Sequence, residues 1–343
     1  MTGIDLVTGG SGFLGGHVVQ ALAERGRAVR ILDVQAPDRI PEGVEVVEGS
    51  VTDEAIVRHA MTDVRRIFHL AAIPELWCAD PSRFEAVNHQ GTRTVLAAAM
   101  ARPHLDAFVY TSSEVVLVPN RRHRLPHRLD ESVDLPPEAL IGPYADAKRR
   151  GEQAVLAAAG RDFPAVSVIP TMPLGPGDVN RTPPTRMIAD LLTGRTPAYA
   201  DVLLNVVDAR DCALSHIQAV ERATPGRRYL LSGHNVTMSA LLAELSLVTE
   251  VVMPSRRIPK PLARAFAYLD TFVADRLTGK PPTAPRDGVE IACRQRPFDN
   301  ARARDELDFR TRPLSITLAD TVAWLSETSG TSSSGSARVS GIL

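Results

Sequence analysis

The chain has 343 residues, of which 44% are hydrophobic and 23% charged, a balance typical of a globular protein with about two domains or one large one. The formal net charge of -1 excludes a broad attraction to nucleic acid or anionic membrane, although it leaves room for a local patch. Because no apolar run reaches the ~18 residues of a membrane span and no signal peptide is visible, we expect a cytoplasmic protein without stable membrane insertion.

The first two thirds of the chain alternate short apolar runs with longer amphipathic stretches. Strands are predicted at residues 4–8, 28–33, 44–47, 67–70, 108–111 and 166–169. Helices are predicted between them at residues 13–24, 53–61, 91–101 and 143–159. This alternation indicates an α/β protein with a parallel sheet covered on both faces, and right-handed crossovers make it a doubly wound fold.

After Pro170 the pattern changes. Residues 170–184 contain five prolines and two glycines and are predicted to form a loop. Further strands are predicted at 205–207 and 229–232, and helices at 186–193, 211–222, 238–249, 262–277 and 314–326. We therefore divide the chain into a sheet domain (1–170, with 205–232 returning to it), a smaller helix-rich substrate-binding region (171–204 and 233–327) and a disordered tail (328–343).

Two segments of the chain invite a functional interpretation. The polar loop at residues 126–137 is long enough to shape a binding site. The segment 262–277 carries Phe266, Leu269, Phe272, Val273 and Leu277 at helical spacing. Such a stripe is compatible with contact to a membrane, but the pattern favours a helix packed on its neighbours.

A glycine-rich turn, Thr8-Gly9-Gly10-Ser11-Gly12-Phe13-Leu14-Gly15, follows the first predicted strand. Gly9 permits the tight bend, Gly12 lets the backbone approach a pyrophosphate, and Gly15 lets the helix pack against the strand. The helix that begins there directs free N–H groups and the positive end of its dipole at the anion. This placement predicts dinucleotide binding rather than a turn without a ligand.

Asp33 ends the second predicted strand, 18 residues after Gly15 (33 − 15). About 20 residues separate the turn from the carboxylate that binds the adenosine ribose in such folds. Because a carboxylate repels a 2′-phosphate, we expect NAD in preference to NADP. Arg30 and Arg39 lie near enough in the sequence to offset that repulsion, which keeps NADP as the alternative.

Tyr144 and Lys148 are four residues apart and share a face of a predicted helix. The ordinary tyrosine pKa of ~10 is too high for a base at neutral pH, and an ammonium group and an oxidised nicotinamide nearby would lower it. Ser112 and Ser113 follow the fifth strand, at the edge where open α/β sheets bind ligands. We expect Ser113, in preference to Ser112, to polarise a substrate oxygen while Tyr144 exchanges its proton.

Together these motifs resemble the extended short-chain dehydrogenase/reductase family, also called the epimerase/dehydratase family. The similar segments are TGGSGFLG, HLAA at 69–72, YTSS at 110–113, YADAK at 144–148 and GPGD at 175–178, in order over about residues 1–327. Finer segments at 76–77, 80–81, 183–199, 204–207 and 300–307 are similar to the dihydroflavonol-reductase-like branch and its hopanoid-associated sugar-epimerase subgroup. Members of that branch reduce ketones or oxidise alcohols.

The resemblance implies roles for individual residues. Ser113, Tyr144 and Lys148 would form the catalytic triad, and hydride would pass directly between the nicotinamide and the substrate. The implied cofactor site comprises Gly9, Ser11, Gly12, Phe13, Leu14, Gly15, Asp33, Ser50, Val51, Leu70, Ala71, Ala72, Asn88, Thr111, Tyr144, Lys148, Pro170 and Met172. The resemblance further implies an NAD(P)-binding Rossmann fold, a small-molecule substrate and a homodimer through the helices near 91–101 and 143–159.

Departures from the family pattern bear on the substrate. Many sugar-nucleotide enzymes carry Tyr-Gly after the serines, where this chain has the apolar Val116-Leu117-Val118, and an arginine where this chain has Asp178. Both departures favour an apolar substrate that interconverts between a ketone and a secondary alcohol. A nucleotide-sugar epimerase or dehydratase with tightly bound NAD is the alternative. A non-catalytic nucleotide sensor is a third, disfavoured because the triad is present.

Metal and nucleic-acid binding are not expected. Cys78, Cys212 and Cys293 are too scattered for a zinc site or a disulfide framework, and the nine histidines lack metal-ligand spacing. The short basic pairs at 121–122 and 149–150 are typical of solvated surface rather than of a nucleic-acid site.

Overall fold

A computed structural model describes residues 3–102, 104–124 and 126–331, with side chains described as far as Thr328. Its main sheet has seven parallel strands in the order β10-β6-β5-β4-β1-β2-β3. Those strands are β1 (Ile4–Thr8), β2 (Val29–Asp33), β3 (Val44–Glu48), β4 (Val64–His69), β5 (Ala107–Thr111), β6 (Ala165–Pro170) and β10 (Arg228–Leu231). The doubly wound parallel sheet predicted from the sequence is confirmed.

Helices cover both faces of this sheet and build the remaining region. They are α1 (Phe13–Ala23), α2 (Glu54–Ala60), α3 (Ser82–Phe84), α4 (Thr92–Met100), α5 (Gly142–Ala158), α6 (Pro183–Leu192), α7 (Ala209–Arg222), α8 (Met238–Val248), α9 (Lys260–Val273), α10 (Arg286–Arg294), α11 (Ala301–Leu307) and α12 (Leu314–Thr331). A π-helical segment, Glu85–Gly91, joins α3 to α4 without a break. A second one, Ala274–Thr278, extends α9.

Burial of the central strands explains why they read as continuous apolar runs. β5 and β6 are buried at every position, as expected when helices lie on both faces of a parallel sheet. One apolar cluster gathers α1, α7 and α11 on one face. Another gathers α2, α4 and α5 on the opposite face. The carboxyl ends of the strands remain at one edge, where the glycine turn and the serines lie.

A second sheet corrects two expectations. It has the order β11-β9-β7, formed by β7 (Met172–Leu174), β9 (Leu203–Asp208) and β11 (His234–Thr237). β9, predicted at 205–207, therefore pairs outside the main sheet. β7 and the start of α6 lie within 170–184, where a loop was predicted. Pro173 is tolerated in β7 because this strand lies at a sheet edge, where a missing N–H leaves no central ladder bond unmade.

The last helix and the helices of the smaller region differ from the prediction in extent. α12 continues to Thr331, so the tail predicted from 328 begins inside a helix, and residues 332–343 lie outside the described residues. A short pair of strands, β8 (Ala198–Ala200) and β12 (Arg256–Ile258), precedes α9. Among the described residues, no helix is both long and apolar enough to cross a bilayer.

Candidate active site

The glycine turn is closed by contacts that leave no room for side chains at two of its positions. Gly9 has φ of +73°, and a Cβ there would lie 2.6 Å from the Ala71 backbone nitrogen. A Cβ on Gly15 would overlap the carbonyl oxygen of Gly9. These two glycines therefore let β1 pass close to the end of β4 and let α1 pack onto the turn, as the sequence predicts.

Gly12 differs from Gly9 and Gly15, because contacts within the protein leave space for a Cβ at this position. A Cβ on Gly12 would meet one atom within 4 Å, the Gly9 carbonyl oxygen at 3.2 Å. Gly12 caps α1 in an extended conformation, and no side chain accepts from the first N–H groups of that helix. Uncapped donors, a positive helix end and open space above Gly12 fit a pyrophosphate.

Asp33 lies at the end of β2, beside this turn. One carboxylate oxygen accepts from the Ser11 backbone N–H at 3.0 Å, and the other accepts from the Val34 N–H at 2.7 Å. Burial raises the pKa of Asp33, and these bonds oppose the rise. Arg30 is held elsewhere, by Glu45 and by the carbonyls of Ala60 and Thr62. Val34, which the sequence analysis did not single out, is 70% exposed next to Asp33.

A buried hydrogen-bond chain fixes the segment after β4. The Thr8 hydroxyl lies 2.7 Å from His69 Nδ1, and His69 Nε2 lies 2.9 Å from the Thr92 hydroxyl. The Thr92 hydroxyl in turn donates to the Asn88 carbonyl. Burial lowers the pKa of His69 to about 3, so its ring is neutral and takes one donor and one acceptor role. The Thr8 oxygen also accepts from the Ala71 N–H.

Asn88 lies in the π-helical segment, and its amide is fully engaged. Its oxygen accepts from the Ile73 N–H at 2.7 Å, and its amide nitrogen donates to the Ile73 carbonyl at 3.2 Å. Asn88 thereby fixes the loop that follows Leu70, Ala71 and Ala72. π-helical turns within α-helices are frequent at functional sites, but the sequence pattern gave no sign of this one.

Tyr144 lies in the first turn of α5 and faces Ser113. The Ser113 side chain is close enough to the Tyr144 phenol to lower its pKa, but burial outweighs this influence and raises the pKa to about 12. The expected depression of this pKa by a neighbouring ammonium group is therefore not found in the protein alone. Ser112 is buried, and among the described residues its hydroxyl has no hydrogen-bond partner.

Lys148 lies one helical turn after Tyr144 and is buried. Its ammonium nitrogen donates to the Thr111 carbonyl at 2.6 Å and lies 4.5 Å from the centre of the Tyr110 ring. Burial lowers the pKa of Lys148 to about 7, with the charge of Glu152 opposing the shift. The end of β5 therefore holds the amine in place.

Thr111 is itself fixed by His216 of α7. Burial lowers the pKa of His216 to about 4, so the ring is neutral. His216 Nδ1 lies 2.7 Å from the Cys212 carbonyl, and since a carbonyl only accepts, this nitrogen carries the proton. Nε2 therefore accepts from the Thr111 hydroxyl at 2.9 Å. The side chain of Thr111 is thus occupied within the protein.

Glu114 is a site residue that the sequence analysis missed. It follows Ser113 directly, and its carboxylate accepts from the Gln295 amide at 3.1 Å. Burial raises the pKa of Glu114 to about 8, and its charge raises the pKa of Tyr144. Gln295 lies 181 residues away in the chain, so no local pattern could have indicated this pair.

The surroundings of Tyr144 are otherwise apolar. Tyr144 and Leu76 pack against a buried cluster of the residues Val115, Val116, Leu117, Val118, Leu129, Leu140, Ile141, Ala145, Ile169, Leu230, Ile291 and Phe298. Glu75 is the other charged group whose field reaches Tyr144, and it pairs with Arg186 of α6 at 3.0 Å. Val116, Leu117 and Val118 are fully buried within this cluster.

The remaining predicted cofactor residues lie at the same edge of the sheet. Ser50 and Val51 follow β3, where the Ser50 hydroxyl bonds the Thr52 hydroxyl at 2.8 Å and Val51 is buried against Gly91. Pro170 ends β6 and Met172 begins β7. No group of three or more potential metal ligands is assembled in the part of the chain that the structure describes.

A seven-stranded parallel sheet with a glycine-rich turn at the first strand and an aspartate at the second defines a dinucleotide-binding Rossmann protein. Comparison with known proteins identifies the family within this class. Residues 6–231 match the model of the NAD dependent epimerase/dehydratase family. Since the match spans more than half of the chain, the protein belongs to that family.

Individual relatives agree with this assignment. A Synechocystis sp. protein named "Putative dihydroflavonol 4-reductase" is 35% identical over 326 residues, which cover 93% of each chain. The 2-alkyl-3-oxoalkanoate reductase of Stenotrophomonas maltophilia is 31% identical over 292 residues, covering 81% of this chain and 86% of the relative. The crystal structure of gox2253 superposes with a TM-score of 0.80 at 31% identity, covering 95% of this chain and 99% of that one. The chain is accordingly an NAD-dependent oxidoreductase of the epimerase/dehydratase family.

Proposed function

We propose that the protein interconverts a ketone and a secondary alcohol on an apolar small molecule, with Ser113, Tyr144 and Lys148 as the catalytic residues. Bound NAD supplies or accepts the hydride at its nicotinamide ring. Tyr144 gives the proton to the forming alcohol oxygen or takes it back, and Ser113 donates a hydrogen bond that holds this oxygen in line. Lys148 supports the phenol electrostatically from the same helix face.

One observation carries the proposal: Ser113, directly after β5, and Tyr144, in the first turn of α5, lie near each other at the carboxyl edge of the sheet, where Ser113 lowers the pKa of the Tyr144 phenol. A substrate oxygen placed between the two side chains would receive one hydrogen bond from each. Lys148 is held one turn away by the Thr111 carbonyl, so the three groups need no large rearrangement to act together.

The cofactor would lie along the residues whose geometry is described above. The first turn of α1 would hold the pyrophosphate, with Gly9, Ser11, Gly12, Phe13, Leu14 and Gly15 forming the cradle. Asp33 would accept from the ribose hydroxyls, and Ser50 and Val51 would border the adenine. Leu70, Ala71, Ala72 and Asn88 would form the floor, and Thr111, Tyr144, Lys148, Pro170 and Met172 would surround the nicotinamide ribose and amide.

The charge of the site supports an uncharged substrate over a nucleotide sugar. Glu75 and Glu114 both raise the pKa of the Tyr144 phenol, and Glu114, with a pKa of about 8, is mostly uncharged at neutral pH. Arg186 is already paired with Glu75. A diphosphate would meet the Glu75 carboxylate and an arginine already paired with it, whereas an apolar ketone would meet the buried aliphatic cluster beside Tyr144.

A ketone and alcohol panel read at the nicotinamide absorbance band tests the reaction. We expect stoichiometric oxidation of NADH with an apolar ketone, and Tyr144→Phe should lower turnover by a factor of ~10²–10⁴, the usual contribution of a general acid or base. Tyr199→Phe, which removes a hydroxyl from β8, is the matched control and should retain wild-type turnover. Near-normal turnover of Tyr144→Phe would remove Tyr144 from the proposed role.

The same assay distinguishes a ketone reductase from the alternative, a nucleotide-sugar epimerase or dehydratase. A nucleotide-sugar epimerase or dehydratase regenerates its cofactor in every cycle, so it would interconvert nucleotide sugars without net change in NADH absorbance and would purify with NAD bound. Net NADH consumption with a ketone, together with exchangeable cofactor, would exclude it.

The proposal also assigns roles to the two regions of the chain and an oligomeric state to the protein. The sheet domain (1–170 with 205–232) would bind the cofactor, and residues 171–204 and 233–327 would bind the substrate. A cytoplasmic homodimer through α4 and α5, which pack side by side, is expected from the family resemblance. Sedimentation velocity of the wild type tests the dimer.

A further inference from the structure

Helix α9 and its π-helical extension turn their large apolar side chains away from the protein. The side chains buried against neighbouring elements are small: Ala267, Thr271 and Ala274. The exposed ones are large, with Leu262, Phe266, Leu269, Phe272 and Leu277 being 54%, 53%, 61%, 51% and 75% exposed. The sequence pattern favoured a helix whose large apolar side packs against its neighbours, but in the structure that side faces outward.

These five residues, which we call the α9 face, form one continuous stripe. They recur at intervals of three to five residues, so they lie on one side of the helix over a length of about 22 Å at 1.5 Å per residue. A surface helix normally buries such a stripe against the core. A contiguous exposed apolar surface marks a site that another molecule covers.

Basic residues flank both ends of the α9 face. Arg256 and Lys260 precede it, and Arg276 and Lys280 follow it, and all four are exposed. No ion pair formed by the described residues involves any of them. The acidic residues of the helix are engaged on the protein side, because Asp270 accepts from the Ala284 N–H at 2.8 Å and Asp275 accepts from the Trp77 indole at 2.7 Å.

We propose that the α9 face docks on the surface of a membrane that contains anionic lipids. The leucine and phenylalanine side chains would enter the boundary between headgroups and acyl chains, and the four cations would pair with lipid phosphates. The charge pattern selects this occupant. A second copy would present the same face in a symmetric contact, and cations at both ends of each helix would then meet cations in either direction.

The docked surface adjoins the apolar side of the active site. Trp77 ties α9 to the loop after β4, and Arg264 ties it to Glu290 of α10 at 2.8 Å. Leu76 from this loop and Ile291 from α10 belong to the cluster beside Tyr144. If the proposed reaction is correct, docking would bring the opening for apolar substrates next to the lipid phase. The docking itself does not depend on that reaction.

Vesicle co-sedimentation of the full chain without NAD or substrate tests the proposal. We expect binding to vesicles of phosphatidylcholine mixed with phosphatidylglycerol, and weaker binding to phosphatidylcholine alone. Phe266→Ser with Leu269→Ser should weaken binding about tenfold to a hundredfold, since each half-exposed side chain contributes roughly half to one unit of log affinity. Lys260→Gln with Arg276→Gln should remove most of the preference for anionic vesicles, about tenfold or more.

Each control variant carries two substitutions of the same kind outside the α9 face and its flanking basic residues. Ile40→Ser with Ile316→Ser removes two isoleucines of similar exposure, 49% and 48%, and should leave vesicle binding unchanged. Arg83→Gln with Arg304→Gln removes two exposed arginines and should keep the anionic preference. Circular dichroism confirms that each variant is folded.

Three results would overturn the proposal. The first is wild-type protein that does not sediment with mixed vesicles. The second is an equal loss of binding in the control variants. The third is a wild-type dimer that Phe266→Ser with Leu269→Ser dissociates in sedimentation velocity without vesicle binding, which would assign the α9 face to a second copy. A catalytically silent protein that binds vesicles would instead count against the proposed reaction alone.

Discussion

Replacement of the buried lysine, Lys148→Met, should remove activity and also change how stability depends on pH. Burial lowers the pKa of Lys148 from 10.5 to about 7 in the folded chain. Between these values the unfolded chain holds a proton that the folded chain has released, so this residue makes the free energy of unfolding rise with pH. Integration from pH 7 to about pH 10 gives a rise of about 3 kcal/mol, at 1.36 kcal/mol per pKa unit.

The measurement compares denaturant unfolding of the wild type and Lys148→Met at pH 7 and at about pH 10. Other groups that titrate in this window are present in both proteins, so the difference between the two pH dependences isolates Lys148. We expect Lys148→Met to lack the rise of about 3 kcal/mol and to be more stable at pH 7, because methionine is buried without a charge. Lys280→Met, at an exposed lysine, should retain the wild-type pH dependence.

The chain has only three lysines, Lys148, Lys260 and Lys280, so lysine-selective isotope labelling gives three side-chain resonances. One should titrate near pH 7 and be absent from the spectrum of Lys148→Met. Parallel stability profiles of the wild type and Lys148→Met, or three resonances that all titrate above about pH 9, would refute a neutral buried lysine.

Three further predictions concern the cofactor site, the acidic neighbour of Tyr144 and the glycine turn. Asp33→Ala should weaken NADH binding about tenfold or more and narrow the gap to NADPH, because a charged hydrogen bond to ribose is worth about 1.5–3 kcal/mol; fluorescence titration measures both affinities. Glu114→Gln should lower the apparent pKa of alcohol oxidation, because the charge of Glu114 raises the pKa of Tyr144, and since the pKa of Glu114 is about 8 the difference from the wild type should open above about pH 8 in a pH–rate profile. Gly15→Ala should destabilise the fold by about 1–3 kcal/mol or more in denaturant unfolding, because its Cβ would overlap the Gly9 carbonyl oxygen.

Each of these has a matched control. Asp38→Ala removes an exposed carboxylate close to Asp33 in the sequence and should leave both cofactor affinities unchanged. Glu138→Gln, at an exposed glutamate, should keep the wild-type pH–rate profile. Gly16→Ala places its Cβ at an ordinary 3.8 Å from the Gly10 oxygen and should be neutral or stabilising by up to about 1 kcal/mol. Effects of equal size in variant and control would contradict the corresponding argument.

The sequence predicts the sheet well where burial is uniform and less well where charges enter a strand. β1, β2, β5 and β6 lie within a residue of their predicted bounds at each end. β4 begins three residues before its predicted start, because Arg65 and Arg66 interrupt the apolar run. Arg66 is tolerated there since it pairs with the buried Asp5 at 2.6 Å, a partner on a neighbouring strand that no local pattern reveals.

The helix before α4 was missed for a similar reason. Residues 82–90 are largely polar, and their polar groups have partners far along the chain: Glu85 pairs with Arg150, and Asn88 holds the backbone of Ile73. Periodicity records which residues are apolar, but it does not record which polar residues will be satisfied at long range. The same limit hid Glu114 and Gln295 from the predicted site, whereas Tyr144 and Lys148 share a four-residue spacing and Ser113 directly follows a predicted strand.

The direction of helix faces is a second limit. The pattern of residues 262–277 correctly predicts an amphipathic helix, but periodicity alone does not tell whether its apolar side meets the protein core or something outside it. The decision comes from the opposite side of α9, where Ala267, Thr271 and Ala274 are small enough to let the helix pack closely on the fold. Small residues thus take the core contact that large ones take in other helices.

The protonation states of Tyr144 and Lys148 determine which proton transfer the protein is ready to make at neutral pH without its cofactor. With a pKa of about 12, the phenol is protonated at neutral pH. Ionising it at pH 7 would require about 7 kcal/mol, five units at 1.36 kcal/mol each. A protonated phenol is the state that donates to a forming alcohol oxygen, which is the ketone-reduction direction. Oxidation of an alcohol needs the phenolate, and therefore an additional positive charge beside Tyr144, because Lys148 with a pKa of about 7 is charged for only about half of the time at that pH.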